Sequence, residues 1–267
     1  MKSPGEGLTR EDILHEMGLS PIWRLRTPVA ASPPPMVAAE PPAVDPLHAA
    51  RAEHALPASD DTPGVADAGR AARIANMDWP ELHVSVAACR ACQLCSERRQ
   101  AVLGVGDVHA DWLFVGEGPG AEEDARGEPF VGPAGKLLDA MLAAIDLRRG
   151  DDVYIANAVK CRPPRNRTPE AGEMAACAPY LQRQIALIQP RLIVLLGRAA
   201  AHALLGEIGS LGSLRGRSLS YSPPAGSTRP IPLVVTYHPA YLLRTLPDKA
   251  KAWEDLCRAR ALMRSLA

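Results

Sequence analysis

The stretch "RLIVLLG" (191–197), followed after Arg198 by "AAAHALL" (199–205), decides the fold. Its core is an unbroken apolar run rich in branched side chains, with no polar residue on either face. Such a strand sits inside a sheet that is covered on both sides, and the glycine hands it on to an alanine-rich helix. Working outward, "WLFVG" (112–116), "VYIAN" (153–157) and "LVVTYHP" (233–239) read the same way. Between them lie the helical patterns "AGKLLDAMLAAI" (134–145) and "PEAGEMAACAPYLQRQIALI" (169–188), and a last helix runs from about Asp248 to Leu266. This alternation predicts an α/β fold, a three-layer αβα sandwich around a mainly parallel sheet. Ligands of such folds bind beyond the carboxyl ends of the strands. That directs attention to "EGPG" (117–120), Asn157, Gly197 and His238.

The sandwich occupies residues 81–267. Ahead of it, residues 27–80 are rich in alanine and proline and nearly free of large apolar side chains, so they read as a disordered linker unable to offset its ordering entropy. Residues 1–26 carry "LTREDILHEMGL", a short helix with Thr9 as cap and Gly18 as stop. On a long tether it resembles a docking segment for a protein partner, and folding back onto its own domain is the equal alternative. No apolar run is long enough to cross a membrane and no secretory signal opens the chain, so a cytoplasmic protein is expected. The net charge is zero, but residues 1–80 hold 7 basic and 11 acidic side chains, which leaves the remainder with a basic excess of 4. That allows a local nucleic-acid patch without proving one.

The loop "GEGPGAEEDARGEPFVGPAG" (116–135) is glycine-rich, yet it lacks a phosphate fingerprint and carries Glu117, Glu122, Glu123 and Asp124, which opposes a nucleotide cradle. Glu117 at a strand end is placed to orient a water molecule, or is a solvated carboxylate. Phe130, one of two phenylalanines, is available to stack on a planar ring or to plug a loop. Asn157 offers one acceptor and two donors for the edge of a heterocycle, or an Asx turn. His238, fixed before Pro239, can donate to a developing oxyanion or sit in a core. Tyr241, Leu242 and Leu243 follow it where a DNA wedge or a helix start would serve equally.

Six cysteines in a cytoplasmic chain read as ligands or buried thiols rather than bridges. Cys89 and Cys92 have C-x-x-C spacing, and Cys161 and Cys177 flank "RPPRNR". Together they form a four-thiolate site for which spacing leaves zinc and iron–sulfur both open. Cys95 is an extra, and Cys257 reads as a buried small residue. Arg162, Arg165 and Arg167 between the second pair suit DNA phosphates.

The ordered blocks "GEGPGAEED…GEPFVGPAGKLLD", "YIANAVKCRPPRNRTP", "RLIVLLG" and "YHPAYLLR" resemble the family 4 uracil-DNA glycosylases, over roughly residues 86–266. The resemblance implies hydrolysis of the uracil N-glycosidic bond in DNA, leaving an abasic site that starts base excision repair. It implies a structural 4Fe–4S cluster, with zinc as alternative, on Cys89, Cys92, Cys161 and Cys177. It also implies a uracil pocket of Glu117, Gly118, Pro119, Phe130, Asn157 and His238, with Glu117 and His238 catalytic, and places Leu242, Leu243 and Arg244 in the loop that enters the DNA, beside the phosphate contacts read above for Arg162, Arg165 and Arg167. A monomer acting on DNA is expected. The competing reading is a non-catalytic DNA-binding module with a four-cysteine metal site, tethered to replication or repair machinery.

Overall fold

A computed structural model of the chain describes residues 63–206, 209–223 and 229–266. A six-stranded sheet runs in the order β1-β3-β2-β4-β6-β5. Its centre is parallel: β3 (Val153–Asn157), β2 (Trp112–Gly116), β4 (Leu192–Leu196) and β6 (Ile231–Thr236). Two short antiparallel strands close the edges, β1 (Val105–Gly106) beside β3 and β5 (Leu219–Tyr221) beside β6. Both edges escape a reading by apolar runs, because β1 has only two residues and β5 alternates. The mainly parallel sheet expected from residues 191–205 is what the structure shows.

Every residue of β2, β3 and β4 is buried, and their alternate side chains feed two separate cores. On one face Leu113, Ala156, Ile193 and Leu195 meet α5 (Ala171–Ile188) and α6 (Arg198–Leu205). On the other, Phe114, Ile155 and Val194 meet α4 (Pro133–Ala143) and α9 (Asp248–Leu266). Short helices α3 (Ala121–Arg126), α7 (Leu211–Leu214) and α8 (Pro239–Leu242) decorate the loops. The chain passes from β2 to β3 on one side and later to β4 on the other, so the sheet has its switch point at the carboxyl end of β2.

The expected docking helix and most of the expected linker lie outside the described residues. The end of that linker is corrected. Residues Pro63–Ile74 form helix α1, and α2 spans Trp79–Ala88 with a capping box of Asp78 and Glu81. Alanine is the best helix former and Pro63 stands at the helix start, where proline does no harm. Averaged composition hid this, but Ile74 is 2% exposed in a third apolar cluster with Leu82, Val86 and Tyr180. The folded part therefore begins before residue 81.

Candidate functional site

The loops after β2, β3, β4 and β6 line one cavity of ≈ 550 Å³, a size suited to a small ligand. Glu117, Phe130, Asn157 and His238 all face it. Two glycines make this possible. A Cβ on Gly116 would lie 2.5 Å from both Asn157 Oδ1 and the Phe130 ring, and one on Gly135 would lie 1.7 Å from the Phe130 carbonyl oxygen. The backbone here is bare so that two side chains can converge.

Phe130 itself has φ +55°, a conformation unfavourable for a bulky residue and costing on the order of 1–3 kcal/mol. It is held there by Arg149, whose guanidinium donates to the Pro129 and Phe130 carbonyls at 2.8 Å each and pairs with Asp139. Nothing in the sequence marked Arg149. Glu123, at the start of α3, accepts from the amides of Gly120, Val131 and Gly132 and so ties both ends of the loop together.

The Phe130 ring stacks on His238 with centroids 5.4 Å apart. His238 Nδ1 accepts the Ala240 amide at 3.1 Å, so the neutral ring carries its proton on Nε2. Burial, helped by the nearby Arg244 charge, pushes this imidazole down to about 4. It is therefore a neutral donor at ordinary pH. Asn157 is 2% exposed, and its Oδ1 has no hydrogen-bond partner. A buried acceptor left unpaired costs roughly 1–3 kcal/mol, which asks for an explanation beyond the fold. Glu117 is half-buried; burial raises its carboxyl above the ordinary range, and a hydrogen bond from Thr168 opposes that rise. The cavity thus offers a ring face, an unpaired acceptor, a neutral N–H donor and a carboxylate.

The arginine loop is sorted by its contacts. Arg165 is exposed, with φ +53° at the tip of a short 3₁₀ turn. Arg162 donates to Asn166 at 2.7 Å. Arg167 faces the cavity, but both its terminal nitrogens bond Glu173, at 2.8 and 2.6 Å, so its charge is largely engaged by α5. Leu242 is a correction: it is 1% exposed, packed in the α4/α9 core, and α8 turns it inward. Its neighbour Leu243 is 43% exposed and Leu246 60% exposed, so they take the outward place. Cys257 is also corrected, since it is exposed rather than buried. Arg198 and Tyr241 line the cavity as well, and neither was singled out for it by sequence; Arg198 directly follows Gly197, which was.

Beside this cavity lies a second, lined by Cys89, Cys92, Cys161 and Cys177, and also by Cys95. None of the six cysteines is in a disulfide. Arg98 donates to Cys161 Sγ at 2.9 Å, Arg70 to Cys89 Sγ at 3.5 Å, and the Lys160 amide to Cys177 Sγ at 3.2 Å. Burial pushes Cys177 up to about 12 and raises Cys92 and Cys161. At Cys89 burial acts the same way, but the Ala91 amide, Tyr180 and Arg70 outweigh it and the thiol falls below its ordinary value. Among the described residues no group of three or more His, Cys, Asp or Glu is placed to hold a metal ion. Lys160 is 1% exposed and donates to Asn157 O and Gln184 Oε1, which connects the two cavities.

The model of the uracil DNA glycosylase superfamily matches residues 103–257. The chain belongs to that superfamily. A type-4 uracil-DNA glycosylase of Pyrobaculum aerophilum is 42% identical over 184 residues, 67% of this chain and 92% of that protein. A type-4 uracil-DNA glycosylase of Thermotoga maritima is 42% identical over 179 residues, 66% and 90% of the two chains. A type-5 uracil-DNA glycosylase of Thermus thermophilus is 36% identical over 156 residues, 51% and 68%. The superfamily match begins just before β1 and ends within α9, so it takes in the four convergent side chains. Cys89 and Cys92 lie upstream of it, as do α1 and α2.

Proposed function

We propose that this superfamily member is a monofunctional uracil-DNA glycosylase, which hydrolyses the bond between uracil and deoxyribose and leaves an abasic site for base excision repair. The single observation that carries the reading is the buried, unpaired Asn157 Oδ1 in a cavity that also holds Phe130 and His238. An unsatisfied edge, a stacking ring and an N–H donor are what a flipped pyrimidine needs. The names of the type-4 relatives support the same substrate.

The chemistry follows from the side chains. The target nucleotide leaves the duplex, at a cost of a few kcal/mol, to reach the cavity. Leu243 and Arg244 from the α8 loop, with Arg165 and Arg162, offset that cost against the stack and the phosphates. Uracil lies on Phe130 and pairs its edge with Asn157, while Gly118 and Pro119 bring backbone close to it. As the C1′–N1 bond breaks, its electron pair leaves with uracil and negative charge grows on the base's O2 carbonyl oxygen. His238 Nε2–H donates to that oxygen; one such preorganised donor is worth ~3–4 kcal/mol. Glu117 faces the cationic sugar, orients the attacking water and takes its proton as the C1′–O bond forms. All these groups come from one chain, and we read the enzyme as a monomer.

Cys89, Cys92, Cys161 and Cys177 would hold a 4Fe–4S cluster, which when bound supplies a structural cross-link between the segment after α2 and the ends of the arginine loop. The fit lies in four thiols around one cavity with N–H donors on three of the sulfurs, a donor set for thiolates. Zinc is the other occupant such thiolates accept, and iron and sulfide analysis separates the two. Cys95 is read as a bystander. Residues 1–26 remain our candidate for docking a protein partner.

The test is His238→Ala. Base release from uracil-containing oligonucleotide should fall about 10²–10³-fold, with binding to the same strand within about threefold of wild type. Equal loss of both would put His238 in the DNA interface and contradict its assigned role. Binding without any base release by the iron-loaded wild type would favour the non-catalytic module.

A further inference from the structure

Helix α1 lies upstream of residues 103–257, which the superfamily model matches, yet it reaches the cysteine cavity. Its Arg70 sends one terminal nitrogen to Cys89 Sγ at 3.5 Å and the other to the Ala176 carbonyl at 2.8 Å, next to Cys177. The guanidinium lies over the Tyr180 ring, 5.0 Å from its centroid, and Tyr180 bonds Ser85 of α2. Arg98, which lines the cavity, repeats the arrangement. It reaches Cys161 Sγ at 2.9 Å and the Ala87 and Cys89 carbonyls at 2.6 and 2.9 Å. Ile74, at the end of α1, is buried in the same apolar cluster as Cys161 and Cys177.

Guanidinium stays charged in a protein, and its planar fork can hold a sulfur and a carbonyl at once. A neutral thiol is a weak acceptor and a poor reason to bring two such groups to one cavity; a thiolate bonds them strongly. The pattern therefore suits sulfurs that carry negative charge as ligands.

We propose that α1 is part of the cofactor site: Arg70 is a positioning residue that fixes the Cys89 thiolate, as Arg98 fixes Cys161, and slows loss of the cluster. This rests on the cluster reading above. Partners of metal ligands that act in this way typically change metal retention by 10–100-fold when removed. Hydrogen bonds to the sulfurs and nearby charge also set a cluster's potential.

The experiment uses the full chain, purified without oxygen, and follows iron and acid-labile sulfide per chain, then iron release to a chelator. Arg70→Leu should release iron about 10-fold faster than wild type and have a more negative midpoint potential. Arg73→Leu, exposed on the same helix, should match wild type. If the Leu variant does not accumulate, Arg70→Lys carries the test, because an ammonium cannot reach both Cys89 and the Ala176 carbonyl; faster release than wild type is expected. Wild-type rates from an iron-loaded Arg70 variant would overturn the proposal alone. Wild-type protein without iron and sulfide would overturn the cluster reading and the proposal with it.

Discussion

Asn157→Ala should separate stability from function in opposite directions. In the free protein Asn157 Oδ1 is buried without a partner, a state costing roughly 1–3 kcal/mol. Alanine removes that acceptor and leaves the backbone carbonyl bonded to Lys160 Nζ at 2.8 Å. The vacated space opens on the cavity and fills with water, so little packing is lost. Net stability should stay level or rise by up to about 2 kcal/mol, which for a folded unit of about 200 residues is a Tm rise of up to roughly 4–8 °C. Base release should fall about 10²–10³-fold in kcat/KM, the usual cost of one preorganised polar group. A thermal melt and a single-turnover assay on uracil-containing oligonucleotide read the two effects. A Tm drop of more than about 4 °C would show that Asn157 is structural and that its unpaired oxygen is no reserve for substrate.

Other outcomes follow from the same geometry. Burial and Arg244 keep His238 neutral down to about pH 4, so kcat/KM should show no limb near pH 6.5; an acid limb there would mean the imidazolium is excluded by chemistry, not by its site. Because the unfolded chain binds that proton and the folded ring does not, His238 makes stability rise with pH from about 4 to 6.5 and then level off, which denaturant midpoints across that window can read. Leu242→Ala should cost about 2–5 kcal/mol of stability, whereas Leu243→Ala should change stability by under about 0.5 kcal/mol and weaken duplex DNA processing. The reverse pattern would restore Leu242 as the wedge. Deleting residues 1–62 should leave base release intact, while deleting 1–76 removes Ile74 and Arg70 and should lower both Tm and iron content; equal behaviour of the two truncations would return α1 to the linker.

The four parallel strands were legible because each is apolar on both faces, a pattern a covered sheet imposes. Their ends then pointed to Glu117, Asn157 and His238, and the structure brings these into one cavity with Phe130. What escaped was set by tertiary contact. Leu242 and Leu243 are adjacent and alike, and only the direction of α8 tells which is buried. Arg149 acts through the carbonyls of a strained Phe130, a role with no local signal. Helix α1 lay inside a proline- and alanine-rich composition and is held by α5, where Arg70 meets a carbonyl 106 residues away. Arg167 looked like a phosphate contact, but Glu173 in the first turn of α5 engages it.

The central claim is that the cavity releases uracil. The direct measurement is to incubate the whole 267-residue chain, purified without oxygen, with a duplex carrying one uracil, assay free base by chromatography and treat the DNA with alkali. Free uracil in equal amount to alkali-labile strands, with none from thymine or cytosine at the same position and no strand cut before alkali, is the expected result. Intact DNA and no free base from iron-loaded protein would contradict the account and leave a DNA-binding module in its place.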